Sequence, residues 1–206
     1  MAGIIGWLLI APIALLMPRR RDRIVVIGMG EGNFTDNAKY FFLQSAPLLD
    51  PGVKVVFLAG SEELAAQLVR AGLATARYPS WRGIRLLLRS SVAVVDSGFW
   101  LIRMRRFLLI GAKTVQLWHG VGFKRVGVDK MRHEPRAWLS SPLMMRLRML
   151  NGALNGKLVR YDLMASPSTF YEREVFGPAF PSNHHLVVGY PRNTFGRFDV
   201  PALRES

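Results

Sequence analysis

The sequence has no cysteine and only four histidines among 206 residues. Without a thiol there is no disulfide scaffold, no thiolate metal site and no cysteine nucleophile, and four imidazoles leave little material for a zinc cluster. Acids are scarce too: 14 Asp and Glu face 28 Lys and Arg, giving a formal charge of +14 and a pI near 11.2. That balance favours polyanionic partners, such as nucleic acid, phosphorylated substrates or an anionic lipid surface, and does not choose among them. No apolar run reaches the ~20 residues of an ordinary membrane-spanning helix. The length excludes two full catalytic domains, yet half of the residues are hydrophobic, enough for one domain with a sizeable core.

The longest apolar run lies at the amino end. Residues Met1 to Met17 are wholly apolar, and Arg19, Arg20, Arg21 and Arg23 come directly after them. Interrupted by Pro12, this run reads as a marginal span or a shallow interfacial anchor, the alternative being a core element of the fold. Cations placed after the apolar stretch, not before it, argue against a secretory signal peptide and hold the rest of the chain in the cytoplasm. Segment 1–23 is therefore expected to be a membrane-contacting helix projecting from the domain, with Trp7, Arg19, Arg20 and Arg21 at an anionic membrane surface.

After it, short β-rich runs alternate with helical ones. Strands are expected at Ile24–Met29, Val53–Leu58, Thr75–Tyr78, Val92–Val95, Thr114–Leu117, Leu163–Ala165 and Leu186–Val188. Helices are expected from Asp36 to Leu43, at Ser61–Ala71 and Ser80–Ser90 behind serine caps, and at Ser168–Phe176. This alternation predicts an α/β fold with a doubly wound, mostly parallel sheet of Rossmann-like type. On the 80–90 helix, Arg82, Arg85 and Arg89 share one face and Trp81, Ile84 and Leu88 the other. Over Pro142–Leu158 a leucine stripe, widened by Met144, Met145 and Met149, is bordered by Arg146 and Arg148. Both are basic amphipathic helices suited to a bilayer surface, or solvated basic faces over a core stripe.

Gly28, Gly30 and Gly32 come after the first expected strand, but the spacing is G-x-G-x-G and position 33 is Asn33, so a dinucleotide site is rejected. The glycines instead let the backbone turn tightly against a ligand or another loop. The most informative stretch runs from Gln116 to Lys124, where a strand ends and releases His119 between Trp118 and a glycine-rich turn. Loops at the carboxyl ends of parallel strands are where such folds bind ligands. An imidazole there can take a proton from a hydroxyl, and Lys124 can hold a phosphate; a lone histidine beside a tryptophan can equally be structural. His133, His184 and His185 have no metal-building spacing with it, so neither metal nor cofactor is expected.

Asp36-Asn37-Ala38-Lys39-Tyr40, Gln116-Leu117-Trp118-His119-Gly120 with Phe123-Lys124, Ser166-Pro167-Ser168 and Gly189-Tyr190-Pro191-Arg192-Asn193 stand in the order found in CDP-glycerol glycerophosphotransferases, the enzymes of teichoic acid polymerisation and their relatives. Over about Ile24 to Asn193 the chain resembles that family. The resemblance implies a two-domain GT-B transferase, peripheral on the cytoplasmic membrane, that moves glycerol phosphate from CDP-glycerol to a hydroxyl of a lipid-linked acceptor without a metal. It implies an acceptor-side domain at 24–193, with His119 as general base and Lys124, Arg192, Gly120, Gly122 and Asn37 around the acceptor and its phosphates. Residues 194–206 would be a tail or the start of a linker to a donor-binding domain, and Thr194 stands where an acid usually comes after the asparagine. The chain is thus expected to be incomplete alone, acting with a separately encoded donor domain or being a truncated gene product. A non-catalytic membrane-bound scaffold of the same fold is the alternative. A basic nucleic-acid-binding module is a weaker one, because no helix-turn-helix, RNA-binding aromatic motif or zinc spacing is present.

Overall fold

The computed structural model describes residues 5–101, 103–120, 125–133, 141–154 and 160–194. Seven strands form one sheet: β1 (Arg20–Ile27), β2 (Lys54–Ala59), β3 (Thr75–Arg77), β4 (Ser90–Val95), β5 (Lys113–Gln116), β6 (Tyr161–Ser166) and β7 (Ser182–Val187). Their order is β3-β2-β1-β4-β5-β6-β7, and every neighbouring pair is parallel. This is the expected doubly wound α/β sheet. The central strands carry apolar side chains on both faces, as strands sandwiched between helical layers must.

Alternation along each strand sorts those side chains. Val25, Ile27, Leu58, Ala93 and Val95 point to one core with Leu86 and Leu87 of the helix Trp81–Arg89, and with Trp100, Leu101 and Leu109. Val26, Phe57, Ala59 and Val94 point to the other, against Ala38, Phe42 and Leu43 of the helix Asp36–Ser45 and Leu68 of the helix Glu62–Arg70. The expected serine caps are made: Ser61 Oγ accepts from the Leu64 amide at 3.2 Å and Ser80 Oγ from that of Gly83 at 3.1 Å. Strand order reverses at β1, which lies between β2 and β4, so a crevice opens at the carboxyl ends of β1 and β4.

Two expectations meet a different structure. The arginine cluster is no stop outside the domain, because β1 already begins at Arg20, where it pairs with Ser90 of β4. The expected boundary after Arg23 therefore falls inside a strand. The apolar segment does not project. It forms a π-helical turn Gly6–Ile10 and a short α-helix Ala11–Leu16, whose small residues Gly6, Ala11 and Ala14 are buried while Leu8, Leu9, Ile13, Leu15 and Leu16 face outward. Gly6 is the key to this docking: a β-carbon there would lie 2.1 Å from the ring of the fully buried Phe107. Trp7 packs edge-on against the same ring at 5.4 Å, with the Arg106 guanidinium 5.7 Å from the Trp7 ring centre. Among the described residues no helix is long and apolar enough to cross a membrane. The expected helix behind Ser168 is present as consecutive helical turns, Thr169–Tyr171, the π-helical Glu172–Phe176 and Gly177–Ala179, with helical backbone at each junction.

The glycine-rich turn after β1 meets another loop. Gly32, at φ 103°, accepts a hydrogen bond from the Gly60 amide at 3.2 Å, and a β-carbon on Gly32 would sit 2.5 Å from the Leu58 carbonyl oxygen. The glycines are used to press the ends of β1 and β2 together.

Candidate active site

Four chain segments converge at the carboxyl edge of the sheet: the start of the helix Asp36–Ser45, the residues after β4, the residues after β5 and the loop after β7. Each is fixed by polar contacts to the others. Gln116, the last residue of β5, is fully buried, and its Oε1 accepts the Trp118 amide at 2.8 Å. Trp118 stands at φ 58°, a left-handed conformation that costs a bulky residue on the order of 1 kcal/mol or more. That turn is held from the far side, because the fully buried Asn37 donates through Nδ2 to the Trp118 carbonyl at 2.8 Å.

The turn presents His119. Its ring stacks on Trp118 with centroids 4.5 Å apart and planes 29° apart, and Trp118 in turn packs on Phe180 at 4.7 Å. His119 Nδ1 lies 2.9 Å from the backbone carbonyl oxygen of Asp96. A carbonyl only accepts, so Nδ1 carries the proton and Nε2 of the neutral ring keeps its lone pair. The ring is half-buried. An imidazole locked in this tautomer can receive a proton at Nε2.

The loop after β7 closes the arrangement. Arg192 Nη1 donates to Asp36 Oδ1 at 2.7 Å and to the His119 carbonyl at 3.2 Å, while the Arg192 amide donates to Asn37 Oδ1 at 3.4 Å. Gly120 lies alongside, where a β-carbon would come within 4.0 Å of Arg192 Nη2. Gln44, buried in the same helix as Asn37, donates to the Pro191 carbonyl at 3.3 Å and accepts from Thr194 Oγ1 at 3.0 Å. Thr194, at the expected acidic position, thus ties the loop to the helix.

One acid is enclosed here without a cation among the described residues. Asp96, directly after β4, is fully buried; its Oδ2 accepts the Ala38 amide at 3.3 Å and its Oδ1 has no partner among the described residues. Burial, seconded by the nearby charge of Asp36 and opposed by the Ala38 hydrogen bond, pushes its carboxyl group up to about 7. Asp36 itself is compensated by Arg192.

The family profile described as CDP-Glycerol:Poly(glycerophosphate) glycerophosphotransferase matches residues 9–195. The chain belongs to this family. Its fold is similar to that of the wall teichoic acid polymerase TagF, with a TM-score of 0.59 and 19% identity over 93% of this chain and 43% of that chain. A histidine-to-asparagine variant of TagF soaked with CDPG superposes with a TM-score of 0.60 at 19% identity, covering 93% of this chain and 45% of that one. The chain therefore spans less than half the length of the solved structures it matches. No curated protein matches it in sequence.

Of the family residues read from the sequence, His119, Asn37, Arg192 and Gly120 come together; Gly122 and Lys124 lie outside the described residues. Arg192, expected at a phosphate, has its charge matched by Asp36. Among the described residues no cluster of His, Cys, Asp or Glu is suited to a metal ion. The expected membrane set divides. Arg19 leaves it: partly buried, its guanidinium donates to the carbonyls of Leu87, Ser90, Leu108 and Ile110, and burial lowers its pKa to about 10. Arg20 pairs with Asp22 at 2.9 Å, Arg89 is half-buried, and Arg148 has a partner within the chain. Arg21, Arg82, Arg85 and Arg146 are exposed. Sequence reasoning missed Gln44 and Asp96, and gave Asp36 and Gln116, quoted only as parts of motifs, no role in the site. For Asp96 a signal was present: it is the sole acid between Arg70 and Lys113, and it stands directly after an apolar strand.

Proposed function

We propose that this chain is the acceptor-side domain of a CDP-glycerol glycerophosphotransferase-like enzyme of GT-B organisation, with CDP-glycerol bound by a further domain facing the crevice. The observation that carries this is the fixed tautomer of His119 at the end of β5, within a family-matched constellation. In the reaction, an acceptor hydroxyl gives its proton to His119 Nε2 as its oxygen attacks the donor's β-phosphorus. The bond from that phosphorus to the bridging oxygen of CMP breaks, CMP leaves with the electron pair, and glycerol phosphate stays on the acceptor. Lys124, five residues beyond His119, supplies positive charge to the phosphoryl oxygens, while Arg192 and Asp36 hold the histidine loop in place. The chain's basic excess suits an acceptor that is itself a polyol phosphate.

Loss of a general base typically costs about 10²–10⁴ in rate. His119→Gln, assayed by CMP release with a relative's donor-binding half supplied in trans or as a fusion, is expected to fall by that factor while keeping the parent's urea midpoint. Undiminished transfer by the variant removes His119 from the chemistry, and a chain that never supports transfer favours the scaffold reading.

The same reading places the protein on the cytoplasmic face of the membrane, bound to a lipid-linked acceptor. Its support is the outer face of the docked amino-terminal helix, where Leu8 is 69%, Leu15 66% and Leu16 84% exposed beside a strongly cationic body. Such a face lies along a bilayer surface without crossing it.

A further inference from the structure

The cations at the amino edge of the sheet have no part in the proposed chemistry. β3 pairs only with Phe57, Leu58 and Ala59 of β2, so residues 54–56 have no strand on their outer side, and a cavity of about 1120 Å³ opens there, at the edge opposite to His119. Alternation puts Arg23 on the side of Val25 and Ile27, and Lys54 on the side of Val56 and Leu58, so both cations point to the face covered by the helix Trp81–Arg89. They are register partners on adjacent strands, where about 4.8 Å separates the backbones and like charges repel. From the helix, Arg82 and Arg85, three apart and exposed, line the same cavity. Among the described residues no carboxylate pairs with any of the four, and the one acid lining the cavity is the exposed Asp50.

We propose that this cavity binds one anionic phospholipid, its phosphate held by Arg23, Lys54, Arg82 and Arg85 and its acyl chains lying on the apolar wall. Four uncompensated cations around one hollow attract a multivalent anion, and an anion there removes the repulsion between Arg23 and Lys54. The rest of the ligand is read from the wall and the size. Val56, Leu73, Ala76 and Leu86 give nothing to a bare phosphate, and the volume exceeds the about 300–1,000 Å³ of an ordinary small-molecule site. The amino-terminal arm finishes at the same edge: Leu16, 84% exposed, stands four residues before β1 begins at Arg20, so a lipid of the surface under the arm is at hand. This lipid is not the acceptor, whose hydroxyl must reach His119 at the other edge. The assignment rests on the proposed membrane placement for its source of lipid, and on nothing assigned to His119.

The test is calorimetric titration of the full chain with monomeric dihexanoyl phosphatidate, with dihexanoyl phosphatidylcholine and inorganic phosphate as comparators. Saturable binding of phosphatidate, at least about 10-fold tighter than that of either comparator, is expected. Lys54→Gln combined with Arg85→Gln should weaken it by about 10-fold or more for each charge-assisted contact removed. Arg146→Gln combined with Arg160→Gln takes the same charge from exposed positions outside the cavity and should leave it unchanged. Because Arg23 opposes Lys54, Lys54→Gln is also expected to hold or raise the parent's urea midpoint; a lower midpoint would mean that the empty fold already pairs this cation, and overturns the proposal. So does inorganic phosphate binding as tightly as phosphatidate, which makes the occupant a free anion, or phosphatidylcholine doing so, which makes the contact purely apolar. Equal weakening in the two double variants overturns it as well, by tracing the binding to the field of the whole +14 chain. The readings fail separately. Flotation on anionic vesicles without phosphatidate binding removes the site and leaves the membrane placement standing; phosphatidate binding by a His119→Gln variant that transfers at full rate keeps the site and removes only the base.

Discussion

Two arginines, one at each end of the sheet, look alike in sequence and are opposites in the fold. Arg19 sits at the amino edge, with four backbone carbonyls as its acceptors and no carboxylate. Leu87 and Ser90 lie at the end of the helix Trp81–Arg89, and Leu108 and Ile110 at the end of the 3₁₀ segment Arg103–Leu109, so one guanidinium serves carbonyls that a terminating helix leaves unpaired. Arg192 sits at the carboxyl edge, its side chain 35% exposed, paired with a carboxylate and hydrogen-bonded to the histidine loop. The first fastens the apolar arm and β1 to two other segments. The second balances charge in a cleft. Sequence shows the same cation beside a turn in both places; what differs is whether the neighbouring acceptors carry charge and whether water reaches them.

The sharpest way to break this comparison is to keep both charges and remove the planar fork. Arg19→Lys loses most of a four-acceptor arrangement that a single ammonium group cannot reproduce, leaving buried carbonyls short of donors at about 1–3 kcal/mol each. A total loss on the order of 4 kcal/mol is expected in urea unfolding. Arg192→Lys, at a half-exposed pair, is expected to cost under about 1 kcal/mol. Equal costs for the two would mean that Arg19 is not a structural clamp.

An effect of similar size and opposite sign separates the two acids of the cleft. Asp36 has Arg192, whereas Asp96 has no cation among the described residues, and its carboxyl group is raised from an ordinary value of 3.8 to about 7. Well below pH 3.8 both folded and unfolded chains hold that proton and no penalty exists. As pH rises the unfolded chain releases it first, so stability falls until the folded chain also ionises near pH 7. At roughly 1.4 kcal/mol per pKa unit the loss is on the order of 4 kcal/mol, nearly all of it present at pH 8. Asp96→Asn is expected to abolish this decline, gaining on the parent as pH rises from 4 to 8. A parallel decline in the two proteins would show that the acid is solvated.

Much of the fold was legible because buried parallel strands declare themselves by composition. The runs at Ile24, Val53 and Val92 are β-branched and apolar on both faces, which is what two helical layers require. The short edge strands were harder. β7 carries Asn183, His184 and His185, a polar string placed in the sheet by its pairing with β6 and not by its own pattern. The site was legible where a motif carried it, as at His119 and Asn37. It was illegible where the contact partner is main chain: the Asp96 carbonyl on His119, the carbonyls on Arg19 and the Trp118 carbonyl on Asn37 leave no trace in residue type. The docking of the amino-terminal run was illegible for a related reason. Apolar composition reports that a segment avoids water, while the choice between lipid and protein is made by which side is small, here Gly6, Ala11 and Ala14 against Phe107.

The mildest perturbation of the comparison acts on that arm and should leave the fold almost untouched. The arm has an inner face fastened by Gly6 and, just beyond its end, by Arg19, and an outer face of large, exposed apolar side chains. Removing residues 1–23 would therefore confound two effects, since it takes away Arg19 and half of β1 along with the outer face. Replacing Leu8, Leu9, Leu15 and Leu16 together by Gln isolates the outer face. Exposed substitutions of this kind usually change stability by less than about 0.5 kcal/mol each, so the urea midpoint should barely move. If the face lies in a bilayer, four apolar side chains each lose roughly 1 kcal/mol or more of transfer free energy, and flotation with anionic vesicles should weaken by at least about 100-fold. High salt should weaken the residual binding further, because the remaining attraction comes from exposed cations such as Arg21, Arg82 and Arg85. Vesicle binding equal to the parent's would show that the outward leucines do not contact lipid, and would leave the exposed arginines as the membrane contact.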